Sequence, residues 1–347
     1  MKKLIIIIFL LPVFVFSVAA AEIEPPTVPD GADAIFPEDP TSFSDGLKEI
    51  LNDASEYIRP AAMDCLDTCV KLVAMVMLTS LFLGASPGTK KSIDLAAVVS
   101  VSVILLAPAN TLIHIGSETI TEITNYGKLL LPVMATALAA QGAPSSSAGL
   151  YAGTACLNSI LGSIVTSVLI PLIYIYLVIA IAANAVENGL LSKVKDFIKW
   201  SATWCLKIIL YVFTGYMGIT GVITGSVDAA TMKATKLTIS GVVPVVGGII
   251  SDASEAILVS AGILKNSAGV YGILALISIL IGPFIKIGVQ YLALKLSGAL
   301  CQAFSSGPCC KILQDFTTAM GIVLAMTGTV CLLQLISTVC FMRCVGL

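Results

Sequence analysis

Long apolar runs alternate with short polar stretches over most of this chain. Several of these runs approach or exceed the ~20 consecutive apolar residues that an α-helix needs to cross a bilayer. A helix also pairs its own backbone groups, as the hydrocarbon core requires. The pattern therefore predicts an all-α polytopic membrane protein with about six spanning helices. The predicted spans are residues 66–84, 95–113, 151–183, 202–224, 271–294 and 318–341.

Two apolar runs are interrupted and do not fit a simple spanning helix. The run 129–140 is short and contains Pro132, and the stretch GVVPVVGG at 241–248 contains Pro244 between glycines. Proline removes a backbone donor, and glycine permits a tight reversal of the chain. If the first run crossed the membrane, the lysine-rich segment 193–199 would lie outside, against the positive-inside rule. We therefore predict two Pro/Gly-broken re-entrant hairpins, with spanning segments as the alternative.

The N-terminus has the organisation of a secretory signal peptide. Lys2 and Lys3 precede an apolar stretch at 4–16, and small residues at 17–21 offer a cleavage site after Ala21. An uncleaved signal anchor is the alternative. In both cases, the segment that follows lies outside the cytoplasm.

The extracytoplasmic segment 22–60 begins as an acidic, proline-rich linker and continues as a predicted amphipathic helix. Apolar residues recur at helical spacing between charged ones in its second half. This helix lies on the membrane surface or packs on the protein, or it forms a docking face for an extracytoplasmic partner. The candidate docking residues are Phe43, Leu47, Ile50, Leu51 and Tyr57.

Short motifs recur in the same order in the second half of the chain and predict an internal repeat. Pro132 and Pro244 are 112 residues apart, as are Pro171 and Pro283. The other matched pairs are SAGLY at 147–151 with SAGVY at 267–271, and VKDF at 194–197 with LQDF at 313–316. Chance matching in an apolar sequence is the alternative. The predicted units are 1–21, 22–60, the first two membrane helices at 61–127, repeat unit 1 at 128–225 and repeat unit 2 at 226–347.

Composition supports a membrane protein and narrows the chemistry. The chain is 57% hydrophobic and 12% charged, which is about half the charge of a soluble protein. There is no basic patch dense enough for nucleic acid, and no phosphate loop, HExxH motif or nucleophile elbow. The single histidine and the absence of a CxxC pair give no basis for a metal site. We therefore predict no enzymatic activity, no cofactor and no bound metal, with the lipid bilayer as one partner.

One group of polar residues is predicted to lie at membrane depth beside the second hairpin. Asp252 and Glu255 share a helix face, and Lys286 with Gln290 one turn further offers a partner on another segment. Charged groups at this depth usually pair or face a cavity. A structural ion pair, a site for a translocated ion or solute, and a hydrated interfacial position all remain open. The whole candidate site is Gly241, Pro244, Gly247, Gly248, Asp252, Glu255, Lys286 and Gln290.

The stretch KLTISGVVPVVGGIISDASEAILVSAGILKNSAGVYG at 236–272 resembles the signature region of the stage III sporulation protein AE family. The order of signal peptide, acidic linker, amphipathic helix and polytopic body agrees over essentially the whole chain. The resemblance implies a component of a secretion-type channel between mother cell and forespore, required for late forespore gene expression. It places the protein in the mother-cell membrane around the forespore, and it implies ring-forming proteins and a cytoplasmic ATPase as partners.

A second function is consistent with the residues themselves. The repeat, the broken hairpins and the intramembrane charges are typical of a secondary transporter or permease that binds a small solute or ion between two repeats. The structural and conduit role is favoured by the resemblance and by the acidic outer segment.

Overall fold

The computed structural model describes residues 26–29, 32, 35–37, 43–85, 89–140, 144–186, 189–219, 267–304 and 307–345. Nearly all of the described residues from 43 onward are helical, whereas those before residue 43 are not. No strand occurs in these ranges. A π-helical segment, Val165–Leu169, connects the third and fourth helices. The helices are α1 (Phe43–Ala85), α2 (Lys90–Ala140), α3 (Pro144–Ile164), α4 (Ile170–Val186), α5 (Gly189–Ile219), α6 (Ser267–Phe304) and α7 (Pro308–Val345).

Six helical segments within the described ranges are long and apolar enough to cross a membrane. Each predicted span lies in a different one of them, although the span 202–224 extends beyond the described end of α5. The all-α polytopic prediction is therefore confirmed at this level. The six segments are Phe43–Ala85, Lys90–Thr136, Ala148–Val186, Gly189–Tyr216, Gly269–Ala303 and Pro308–Met342.

Helices α1 and α2 are much longer than a bilayer requires. With 43 and 51 residues, they extend to roughly 65 and 75 Å, compared with ~30 Å of hydrocarbon. Each therefore has a large part outside the hydrocarbon core. The predicted boundaries at residues 60 and 127 fall inside these two helices, so no break in secondary structure marks them.

The polar stretch 117–128 lies between two apolar runs, yet it is part of the continuous helix α2. Ile120, Ile123, Tyr126 and Leu130 recur every three or four residues and are fully or almost fully buried. This apolar face holds the helix against the rest of the protein while polar residues face outward. The run 129–140 is consequently the end of α2, with α3 beginning at Pro144, and the re-entrant assignment of this pair remains a prediction.

The π-helical segment precedes Pro171 in the long membrane segment. The N–H of Ile170 bonds to the carbonyl of Val165, five residues earlier. Proline has no N–H and its ring clashes with the carbonyl one turn before it. A single wider turn at this position relieves that clash while the helix continues.

Helix α7 lies at the centre of the described helices. It packs against α2, α6 and α4 in particular. In its most apolar 18-residue window, 94% of the residues are buried, compared with 17% for α1. The last helix therefore fills the middle of the protein, and α1 packs at its periphery against α6 and α2.

The predicted repeat is only partly covered by the described residues. Pro171 and Pro283 lie within long membrane segments, and each segment is followed by a further helix, α5 or α7. The second hairpin, with Gly241 and Pro244, lies outside the described residues. The repeat therefore remains a prediction.

Candidate functional site

A buried polar cluster joins the end of α4, the start of α5 and the start of α7. Asp315 accepts hydrogen bonds from Tyr176 Oη at 3.1 Å, Asn184 Nδ2 at 2.8 Å and Lys195 Nζ at 2.9 Å. The Lys195 and Asp315 side chains are about nine-tenths buried. We call these four residues the Asp315 cluster.

The sequence places each member of the Asp315 cluster on the inner face of its helix. Tyr176 and Asn184 are eight residues apart in α4, which is close to two helical turns, and both are buried. Lys195 lies near Ile198 and Ala202, which form the buried side of α5. The carboxylate thus has one cation and two neutral donors, an arrangement that satisfies a buried charge.

A second buried polar cluster joins α3 to α7. Asn158 Nδ2 donates to Gln334 Oε1 at 3.2 Å and to Ser337 Oγ at 3.0 Å. Gly127 of α2 lies directly against the Gln334 amide, and a Cβ at this position would lie 2.6 Å from Gln334 Nε2. A side chain at residue 127 would therefore displace the Gln334 amide.

A small cleft opens beside this second cluster. Its lining includes the polar residues Thr124, Lys128, Tyr151, Asn158, Ser159 and Gln334 together with the apolar residues Leu131 and Ala155. Asn158 Oδ1 is buried and has no hydrogen-bond partner. A buried acceptor without a partner, on a residue that lines a cleft, is a candidate position for water or for a polar group of a ligand.

The predicted site at the second hairpin is divided between described and undescribed residues. Gly241, Pro244, Gly247, Gly248, Asp252 and Glu255 lie outside the described residues. Gln290 is buried in α6 and accepts a hydrogen bond from Cys65 Sγ at 2.7 Å, which connects α6 to α1. Lys286 is exposed, and none of the ion pairs between described residues includes it. A pairing of Lys286 with Asp252 or Glu255 remains a prediction.

The predicted docking residues face different directions on α1. Phe43 and Ile50 are buried, and Leu47 and Tyr57 are half-buried against the hydrophobic core. Leu51 is 54% exposed. Intramolecular packing thus uses most of the face, and a partner has direct access mainly to the side that carries Leu51.

No group of three or more His, Cys, Asp or Glu residues that could hold a metal ion occurs among the described residues. The cysteines Cys65, Cys301, Cys309 and Cys310 are buried, as expected of small apolar side chains at helix contacts.

The Asp315 cluster was not predicted as a site from the sequence. Lys195 lies in VKDF and Asp315 in LQDF, the two motifs that were matched only as a repeat. An isolated acid just before a long apolar run is a usable signal, since a charge there needs a partner. Nothing in the spacing indicates which of the chain's lysines is that partner.

These features define a polytopic helical membrane protein whose helices enclose two buried polar clusters. The family model for Stage III sporulation protein AE (spore_III_AE) matches residues 41–344. The chain therefore belongs to this family. The chain is 24% identical over 225 residues to the stage III sporulation protein AE of Bacillus subtilis (strain 168). This alignment covers 65% of the chain and 56% of the relative, so the match spans little more than half the relative's length. No solved structure matches the chain.

Proposed function

We propose that this protein acts in sporulation as an integral membrane component of a multiprotein, secretion-type channel between mother cell and forespore. The observation that carries this proposal is the family match over residues 41–344, which includes nearly all of the described helices. In this role the protein supports late forespore gene expression. It has no catalytic step of its own.

The arrangement of the helices supports a role within an assembly. Helix α7 fills the centre of the described helices, so their middle is packed side chains. A passage for cargo would then form between this chain and other subunits. Exposed apolar side chains on α1 provide surface for lipid or for neighbouring subunits, namely Leu66, Val70, Met77, Leu81 and Phe82.

The family resemblance supports a proposed location and proposed partners. We place the protein in the mother-cell membrane that surrounds the forespore, with the acidic segment 22–60 in the intermembrane space. Its partners are ring-forming proteins and a cytoplasmic ATPase of the same complex. The side of α1 that carries Leu51 is the candidate contact for an extracytoplasmic ring-forming partner.

The proposal is tested by deleting the gene in its endospore-forming host and restoring it in trans. We expect engulfment to proceed, a late forespore-specific reporter to stay silent, and the wild-type gene to restore it. A tagged protein should concentrate around the forespore and copurify with the ATPase after crosslinking. Normal reporter activity in the deletion strain would exclude the proposed role.

The transporter alternative is tested separately in proteoliposomes that contain only this protein. The family match does not favour a transporter, and we expect no solute or ion flux. A permease would be favoured by flux that is lost in Lys286→Met or in Asn158→Leu at the cleft. The exposed control Lys311→Met should then keep its flux.

A further inference from the structure

Three aromatic side chains form a continuous row on the outside of α5. The Phe197 and Trp200 rings are stacked with centroids 5.9 Å apart, and Trp200 and Trp204 are tilted with centroids also 5.9 Å apart. Their exposed fractions are 62%, 55% and 45%. We call these three residues the α5 aromatic face. Aromatic side chains of this size are seldom left exposed without a binding partner.

Lysines surround this face. Lys193, Lys199 and Lys207 are exposed, whereas Lys195 forms a buried ion pair with Asp315. Asp196 is the only acid in α5. The outer surface of the helix therefore has an excess of positive charge next to its aromatic rings.

The aromatic row, Lys193 and Lys207 lie opposite the side of α5 that packs on the protein, and Lys199 lies at the flank of the row. Residues 193, 197, 200, 204 and 207 follow one another at intervals of three or four and share one face. The buried residues of α5 occupy the other face, and they are Ile198, Ala202, Leu206, Ile209 and Phe213.

The spacing along α5 matches the interface of a bilayer. Trp200 and Trp204 are about 6 Å apart along the axis, comparable with the ~5–8 Å of one headgroup layer. Lys193 lies on the N-terminal side of the row and Lys199 lies between Phe197 and Trp200, whereas the exposed Ile208 and Tyr211 lie on the C-terminal side. Polarity therefore falls along the helix in the direction from headgroup to acyl chain.

The residue types on this face indicate that lipid, rather than another protein, contacts it. The core of a protein–protein interface is depleted of lysine. Tryptophan is enriched at the membrane–water interface, where lysine ammonium groups reach lipid phosphates. Lys207, one turn beyond Trp204, has an aliphatic stem long enough to direct its charge back to the interface.

We propose that the α5 aromatic face and its lysines form a binding site for anionic phospholipids at one membrane interface. The aromatic rings lie at the level of the glycerol groups, and Lys193 and Lys199 contact the lipid phosphates. In the predicted orientation this is the cytoplasmic leaflet. The site anchors the α4–α5 region, which carries three members of the Asp315 cluster, at a defined depth.

Tryptophan fluorescence tests the depth of the face directly, because Trp200 and Trp204 are the only tryptophans in the chain. The full-length protein is reconstituted in nanodiscs with lipids brominated either near the headgroup or near the bilayer centre. We expect strong quenching by the shallow bromine and weaker quenching by the deep one. The single variants Trp200→Phe and Trp204→Phe assign the signal to each residue.

Other outcomes of the quenching experiment overturn the proposal. Absence of quenching by both brominated lipids, with protection from aqueous iodide, would show that protein covers the face. Quenching by iodide alone would place the face in water. Stronger quenching by the deep bromine would place it in the hydrocarbon core.

The lipid class is tested by titrating the detergent-solubilised protein with phosphatidylglycerol or phosphatidylcholine and following tryptophan emission. We expect preference for phosphatidylglycerol, and an affinity about tenfold lower in Lys193→Gln/Lys199→Gln. The Lys193→Arg/Lys199→Arg variant should retain binding, and Lys311→Gln at an exposed position of α7 is the control. Equal affinity for both lipids, or no effect of the double Gln variant, would contradict an anionic-lipid site.

Discussion

Lys195 and Asp315 form a buried ion pair across 120 residues of sequence, with Nζ and Oδ2 2.9 Å apart. The pair links α5 to α7, and Tyr176 and Asn184 connect it to α4. Three helices are thus held together by one carboxylate. The two residues belong to VKDF and LQDF, so the contact also connects the two predicted repeat units.

Removing one member of this pair should destabilise the protein strongly. Asp315→Asn leaves the Lys195 ammonium buried without a counter-charge, which typically costs about 3–5 kcal/mol. We expect the same range for Lys195→Met. The measurement is unfolding of the purified protein in detergent, followed by loss of helical circular dichroism.

The chain provides a matched control for this experiment. Asp196 occupies the position in VKDF that corresponds to Asp315 in LQDF, but it is exposed. We expect Asp196→Asn to change stability by less than about 0.5 kcal/mol. The double variant Lys195→Met/Asp315→Leu should recover much of the lost stability, because no unpaired charge remains. Equal effects at residues 196 and 315 would show that the buried pair has no special role.

Gly127→Ala should weaken the contact between α2 and α7. The new methyl group would overlap the Gln334 amide, and moving that amide breaks its hydrogen bond with Asn158. We expect a loss of about 1–3 kcal/mol, typical of overpacking at a closely packed site. Thermal unfolding in detergent measures the difference.

Gly288→Ala is the control for the Gly127 experiment. A Cβ at Gly288 meets no atom within 4 Å. Alanine in a helix interior should therefore be neutral, or stabilise by about 0.5–1 kcal/mol. A stabilising effect of Gly127→Ala would mean that Gln334 moves without cost.

Substitutions at the adjacent residues Ile50 and Leu51 of α1 should affect stability differently, because one side chain is buried and the other is exposed. Ile50 is 0% exposed, and Ile50→Ala should reduce stability by about 2–5 kcal/mol through a cavity in the core. Leu51 is 54% exposed, and Leu51→Ala should leave stability nearly unchanged. Unfolding experiments on the two purified variants make this comparison.

A charged substitution at Leu51 tests the docking hypothesis in sporulating cells. If the exposed side of α1 binds a partner, a folded Leu51→Asp variant should lose crosslinking to that partner. Full retention of crosslinking in Leu51→Asp would restrict the role of α1 to internal packing.

The orientation of α5 can be tested by thiol labelling at residue 193. Lys193 is exposed, whereas Lys195 is buried in its ion pair, so residue 193 is the better reporter. In a variant without reactive native thiols, we expect Lys193→Cys to react with an impermeant maleimide only after the cells are opened. Labelling of intact cells from outside would reverse the predicted orientation and argue against re-entry of 129–140.

The sequence by itself determined the fold class and, within the described residues, the six segments that are long and apolar enough to span a membrane. A hydrocarbon core requires long apolar runs and internally paired backbone groups, and both requirements can be recognised locally. The periodicity of 43–58 likewise predicted a helix, which the structure extends to Ala85. The family resemblance was also visible in the sequence, in the stretch 236–272.

Only the tertiary structure decided which side of each helix is buried and which distant residues meet. Ile50 and Leu51 are both apolar and adjacent, yet Ile50 is fully buried and Leu51 is 54% exposed. The polar stretch 117–128 belongs to α2, where its apolar side packs against the core. The sequence contains several lysines that could pair with Asp315. Its pairing with Lys195 depends on how α4, α5 and α7 pack together. Burial depends on what distant segments place against a residue, and a local pattern does not contain that information.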